Sequence, residues 1–162
     1  MSFVTVWFAK LLKPMESKTN KIIQADSEAL IAAVFDIRTE VFVHEQKCLP
    51  SEEFDELDAQ AIHFLLLEND HPVSTGRIRK TDKGIKIERI ATLKESRGKG
   101  YASQMIRHLM QEAQQRYPEH TYFYLHAQVE VMPLYHSLGF EPFGGTFIEA
   151  DIAHQAMELQ LN

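Results

Sequence analysis

Apolar positions along this chain follow two periods, and the switches between them divide it into strands and helices. Residues 20–25 read as a first strand, and Asp26 or Ser27 is placed to cap a helix whose Leu30, Val34, Ile37 and Val41 share one face. Three apolar runs follow, 61–68, 73–80 and 85–93, separated by turn residues at Asn69-Asp70-His71-Pro72 and Asp82-Lys83-Gly84, as in an antiparallel meander. A second helix is predicted from near Gly100. Its apolar stripe is Ala102, Met105, Ile106, Leu109, Met110 and Ala113, and Gln104, Arg107, Gln111, Glu112 and Gln115 are left to water. Residues 121–127 form a buried strand, so a right-handed parallel crossover is expected between it and 85–93. Pro133 suits the first turn of a short helix through Leu138, with Gly139 as its cap. Phe140 opens another strand, broken at Gly144-Gly145, and Met157, Leu159 and Leu161 alternate along a last one.

Composition narrows this picture to one core. At 162 residues and 44% hydrophobic, the chain is the size of a single domain, expected over residues 15–162. Residues 1–14 read as an N-terminal extension, because Met15-Glu16-Ser17-Lys18 resembles a natural start. The lone Cys48 excludes an internal disulfide and suits a reducing, cytoplasmic setting. A net charge of −6 argues against general nucleic-acid binding, and the apolar opening Phe3–Ala9 is too short to cross a bilayer. No metal is predicted, since the eight histidines show no His-Glu-x-x-His spacing.

The candidate chemistry gathers at Arg97-Gly98-Lys99-Gly100-Tyr101-Ala102, where a strand ending in Ile90-Ala91-Thr92-Leu93 meets the second helix. Two glycines let the main chain approach an anion, the unpaired amides of the first helical turn face it, and Arg97 and Lys99 add charge. Such a turn cradles phosphate or pyrophosphate. A Walker loop is excluded, because Leu93 stands where its first glycine belongs, and a dinucleotide fingerprint lacks its third glycine at Ser103. The run Glu52-Glu53-Phe54-Asp55-Glu56-Leu57-Asp58 reads as a solvated acidic loop, with recruitment of a cationic amine as the functional alternative.

The chain resembles the GCN5-related N-acetyltransferases. Arg97, Gly100 and Ala102 meet the family's Arg/Gln-x-x-Gly-x-Gly/Ala signature, Ile90-Ala91-Thr92 matches the strand before it, and Leu134-Tyr135-His136-Ser137-Leu138-Gly139-Phe140 matches Leu-Tyr-x-x-x-Gly-Phe. Arg38 to Gln46, Asp55-Glu56-Leu57-Asp58, His63 and Leu125-His126-Ala127-Gln128 also resemble the bacterial ElaA-like branch. The resemblance covers residues 20–161 and implies an α/β (α+β) fold. Its mixed central sheet has about six to seven strands, with an antiparallel N-terminal meander, parallel fourth and fifth strands splayed around acetyl-CoA, and helices on both faces. Two positions depart from the family pattern, Gln128 replacing a frequent Asn and Val131 a frequent Ala.

The implied activity is transfer of the acetyl group of acetyl-CoA to a primary amine by direct attack in a ternary complex. A CoA-binding module without turnover is the alternative. By the same resemblance, the backbone of Gly98, Lys99, Gly100, Tyr101, Ala102 and Ser103, with the Arg97 turn, holds the pyrophosphate. Ile90, Ala91 and Thr92 pair with the pantetheine arm, and Gln128 offers an amide to the cofactor. A backbone N–H there stabilises the oxyanion of the tetrahedral intermediate. Tyr135 is the implied proton donor to the leaving thiolate and Glu88 the implied base, with His126, His154 or no base at all as alternatives. The acceptor is a small-molecule or peptide amine, and dimers being common in the family, a homodimer is admitted.

Overall fold

The structure is a computed structural model that describes residues 19–162, so the extension predicted over 1–14 lies outside the described residues. Seven strands form one sheet: β1 (Asn20–Gln24), β2 (Ile62–Glu68), β3 (His71–Lys80), β4 (Ile85–Thr92), β5 (Tyr122–Gln128), β6 (Glu141–Glu149) and β7 (Ile152–Gln160). Their order is β1-β2-β3-β4-β5-β7-β6. The meander β1 to β4 is antiparallel, β4 and β5 are parallel, and β7 lies antiparallel between β5 and β6.

Among the described residues four α-helices pack on the sheet: α1 (Glu28–Arg38), α2 (Pro50–Glu53), α3 (Tyr101–Arg116) and α4 (Met132–Ser137). Ser27 caps α1 by accepting from the Leu30 N–H, and the chain then winds into a wider π-helical turn over Thr39–Glu45. Gly139, at φ +93°, ends the segment after α4, as its capping role requires.

The helices bury both faces of the sheet. Along β2, Phe64 and Leu66 join a core with Met105, Ile106, Leu109 and Ala113 of α3, whereas Leu65 and Leu67 join Val34, Ile37 and Val41 below α1. Burial on both faces explains the unbroken apolar run of that strand. On β5 the two faces differ. Phe123, Leu125 and Ala127 are buried in the α3 core, while Tyr122, Tyr124, His126 and Gln128 on the other face are half-exposed. The α1 layer packs on β2, β3 and β4, leaving this part of the opposite face open.

A one-residue bulge decides what β4 shows to each side. Thr75 faces Ala91 but Arg77 faces Glu88, so β4 carries an extra residue there, with Arg89 at φ +56°. Before the bulge Ile85 and Ile87 point to the α3 core; after it, Ile90 does, and Ala91 turns to the α1 core. Gly76 makes room for that inversion, since a Cβ there would stand 2.7 Å from Ile90 Cδ1.

Candidate functional site

The bulge coincides with the parting of β4 and β5. Their parallel ladder holds only Ile85↔Phe123 and Lys86↔Tyr124, and the strands then separate. The space between becomes a cleft of about 950 Å3, lined on one lip by β4 and the turn after it and on the other by β5, α4 and β7. Ile90, Ala91, Thr92, Arg97, Gly98, Gly100, Tyr101, Ala102, Ser103, Gln128 and Tyr135 all line it. Of the predicted cofactor residues, Lys99 is the exception.

At the glycine turn the geometry is that of an open backbone cradle. Gly98 and Gly100 sit at φ +76° and +78°, and a Cβ added at either would meet nothing within 4 Å. The first bond of α3 runs from Gln104 N–H to the Gly100 carbonyl, so the preceding amides have no partner within the helix. Arg97 and Lys99, the cations expected to add charge here, are each paired with a carboxylate. Arg97 donates to both carboxylate oxygens of Glu45 at 2.6 and 2.8 Å and to the Thr92 carbonyl at 2.9 Å. The Lys99 ammonium turns to Glu68 at 2.9 Å, and Tyr101 Oη donates to the same carboxylate. What the turn offers an anion is therefore N–H groups and a helix N-terminus.

Adjacent residues at the end of the π-helical turn touch both lips of the cleft. Glu45 holds Arg97, and Gln46 accepts from Gln128 Nε2 at 2.8 Å. Both lie in the segment Arg38 to Gln46 that carries the ElaA-like resemblance, but neither was given a role from the sequence, where a Glu-Gln pair carries no periodic signal. Tyr135 stands on α4 with 7% of its surface exposed, its ring edge-on to Phe140. Burial pushes its phenol up to about 12, so it keeps its proton near neutrality. Cys48 also lines the cleft, and burial, with Glu53 and Glu52 nearby, raises its thiol and disfavours the thiolate.

The acidic run is not a solvated loop; three of its carboxylates clamp arginines. Arg38, fully buried, donates to Glu53 Oε1 at 2.6 Å and Asp58 Oδ1 at 2.6 Å. Arg77, also fully buried, donates to Asp55 Oδ1 at 3.0 Å and to Asp58. Arg89, the bulge residue, reaches Glu53 and Asp55. Burial raises the Glu53 carboxyl despite its two guanidinium partners. Asp55, by contrast, is lowered: burial works against the shift, and the Arg77 bond with the charges of Arg77 and Arg89 outweighs it. With Asp55 and Asp58 occupied in this way, the structure does not support the expectation that they draw in an amine.

Glu88 belongs to the same network. It accepts from Arg77 Nε at 3.0 Å and Arg79 Nε at 2.8 Å and pairs with Lys86 at 3.1 Å. Burial alone would raise its carboxyl, but the Arg79 bond and the charges of Arg77, Lys86 and Arg79 hold it down at about 2. A carboxylate so stabilised is a poor proton acceptor.

Across the cleft, two imidazoles converge on one carboxylate. His126 Nδ1 and His154 Nε2 each stand 3.7 Å from Glu149 Oε2, and all three residues line the cleft. The histidines were candidates from the sequence; Glu149 was not, because it reaches them only through the pairing of β6 with β7. Among the described residues no group of three or more His, Cys, Asp or Glu is arranged to hold a metal, and no helix is long and apolar enough to cross a membrane.

Comparison with known proteins agrees with this geometry. The family model for an acetyltransferase (GNAT) domain matches residues 24–161. The uncharacterized N-acetyltransferase YjcF of Bacillus subtilis is 33% identical over 138 residues, covering 85% of this chain and 97% of that protein. The crystal structure of Escherichia coli ElaA is similar at a TM-score of 0.75 and 26% identity, covering 87% of this chain and 98% of its own. An acyl-CoA N-acyltransferase from Pseudomonas aeruginosa is similar at a TM-score of 0.76 and 27% identity, covering 88% and 99%.

Proposed function

Since this chain belongs to the GNAT acetyltransferase family and is an acyl-CoA-dependent N-acyltransferase, we propose that it moves the acetyl group of acetyl-CoA to a primary amine by direct attack in a ternary complex. The observation that carries this is the parting of β4 from β5 directly beside the open backbone turn at Gly98 and Gly100. The pyrophosphate of the co-substrate takes the amides of the turn and of the first helical residues, Gly98 to Ser103. Its pantetheine arm lies in the gap, where the β4 backbone from Ile90 to Thr92 has no strand partner on the β5 side. The bulge at Arg89 turns a β4 peptide out of the regular ladder, giving the thioester carbonyl an N–H donor at this point.

In this proposal Tyr135 gives its proton to the departing thiolate, a role that its protonated, largely buried phenol suits. Lys99 takes part through its backbone alone, because its ammonium is held by Glu68. Arg97 acts as a positioning residue, keeping the cradle turn in place through Thr92 and Glu45. Glu88 acts as an anchor for Arg77, Arg79 and Lys86 and not as the base.

The test is thiol release from acetyl-CoA across a panel of primary amines, comparing wild type with Tyr135→Phe. At least one amine should raise thiol release above the amine-free rate, and the variant should lose on the order of 100-fold in kcat while still binding acetyl-CoA. No amine-dependent release from the wild type, with acetyl-CoA still bound, would replace this proposal with a CoA-binding module.

A further inference from the structure

Resting on that acyl-transfer proposal, we propose that His154 Nε2 takes the proton from an incoming primary ammonium, and that Glu149, shared between His154 and His126, draws the ammonium in and positions the proton transfer. Strand register assembles the group. Gln128 of β5 faces His154 of β7, His126 faces Ala156, and Phe147 of β6 faces His154. Directly paired residues point to the same side of a sheet, and so do residues two apart. His126, Gln128, His154, Phe147 and Glu149 therefore share the half-open face that the α1 layer leaves uncovered.

The His154 ring is fixed in both orientation and tautomer. Its Nδ1 lies 2.8 Å from the Ile152 carbonyl, which can only accept, so Nδ1 carries the hydrogen and the neutral ring has its lone pair on Nε2. Phe147 stacks on this ring at 5.9 Å and 23°, and meets His126 edge-on at 4.9 Å. Only 8% of His154 is exposed, and it lines the cleft together with Tyr135. The 3.7 Å separations from Glu149 Oε2 are too long for direct hydrogen bonds and leave room for a bridging donor. A primary ammonium has three such donors.

Charge supports the same assignment. The His126 contact and the charge of Lys86 keep the Glu149 carboxyl below its ordinary range against the opposing effect of burial, so it stays an anion for an incoming ammonium. Lys86, Glu88 and Arg89 from β4, Glu149 from β6, Gln128 from β5 and Tyr135 from α4 line the same cleft as the pair, with Glu53 and Asp55 beyond Arg89. The exposed Glu130 stands after β5, and Gln155 of β7 is bonded to the Phe143 carbonyl. Unlike Glu88, neither histidine is locked in an ion pair with an arginine.

The step balances. The ammonium N–H bond breaks, its proton goes to His154 Nε2 and then to water, and the freed nitrogen lone pair forms the N–C bond. The C–S bond breaks, and the thiolate takes the Tyr135 proton. That proton is replaced by the one shed from the new amide nitrogen.

The test is the pH profile of kcat/KM for the best amine of the panel in wild type, His154→Asn and Glu149→Gln, with acetyl-CoA thermal shifts measured alongside. Asparagine keeps a donor for the Ile152 carbonyl and removes Nε2. His154→Asn should lose on the order of 100-fold or more and its acidic limb, with an unchanged acetyl-CoA shift. Glu149→Gln should move the acidic limb to lower pH, because a lost anion weakens the base, and raise KM for the amine. If His154→Asn does not fold, His154→Gln supplies the same readout. Wild-type activity and limb in either histidine variant, or an equal loss of the acetyl-CoA shift, overturns the proposal while leaving acyl transfer standing. An unmoved limb in Glu149→Gln removes Glu149 from it. A wild type that acetylates no amine overturns both.

Discussion

At the scale of single residues, chemistry here is decided by which polar groups are left unengaged. Glu88 and Arg97 both lie in the cleft and both look reactive in one dimension, yet the first holds three cations and the second a carboxylate and a carbonyl. Tyr135 was legible from its motif. Pairing of Glu88 with its near neighbour Lys86 was legible too, but its bonds to Arg77 and Arg79 were not, because these meet it through cross-strand register and no local spacing records that. Cys48 offers a check at the same scale, since a covalent acetyl-enzyme would need a nucleophile in the cleft. Its thiol is raised, with burial the main cause, and it is poorly suited to that role. Initial velocities with acetyl-CoA and amine both varied should therefore give intersecting double-reciprocal lines, and Cys48→Ala should keep that pattern. Parallel lines would indicate a covalent intermediate.

At the scale of elements, the sheet and its helices followed from periodicity: α3 buries Met105, Ile106, Leu109 and Ala113 as its stripe predicted. Two features escaped. The acidic run looked solvated because its partners Arg38 and Arg77 lie about twenty positions away, 20 and 19 residues from Asp58, and pairing at that range is tertiary. The bulge escaped because Arg89 at positive φ is unmarked by any glycine or asparagine. Gly76 was the available signal, a glycine inside a strand. Gly76→Ala would press its Cβ on Ile90 Cδ1, and also on Leu109 and Met105 at 3.0 Å. A loss of about 1–3 kcal/mol is expected from thermal or denaturant unfolding. Adding Ile90→Val, which removes the closest atom, should restore part of it. Wild-type stability in Gly76→Ala would show that the bulge has slack.

At the scale of the whole molecule, the buried ion network ties stability to pH. Glu88, at about 2 against an ordinary 4.5, contributes stability that is present above about 4.5 and lost as pH falls toward 2. Asp55 acts in the same sense. His63 opens an earlier window. Its Nε2 donates to the Asp58 carbonyl, its buried Nδ1 has no hydrogen-bond partner among the described residues, and burial lowers its proton affinity, so folding weakens as pH drops below the ordinary 6.5. Glu53, raised by burial, opposes both by binding a proton more readily when folded. Denaturant unfolding between pH 8 and 3 should show stability falling below about 6.5 and again below about 4.5. Glu88→Gln should be less stable at neutral pH and flatter in the second window. An unchanged slope there would mean that the network does not bind Glu88 as the geometry implies.

Co-substrate binding and the proposed chemistry both depend on one site, the backbone turn at Gly98 and Gly100 beside the parted strands. The measurement that tests it most directly is calorimetric titration of acetyl-CoA into wild type and Gly100→Glu. A glutamate at φ +78° is strained and brings a negative charge into the cradle. Saturable binding to the wild type and its loss in a folded Gly100→Glu is the predicted result; equal binding by both would contradict a phosphate cradle at this turn.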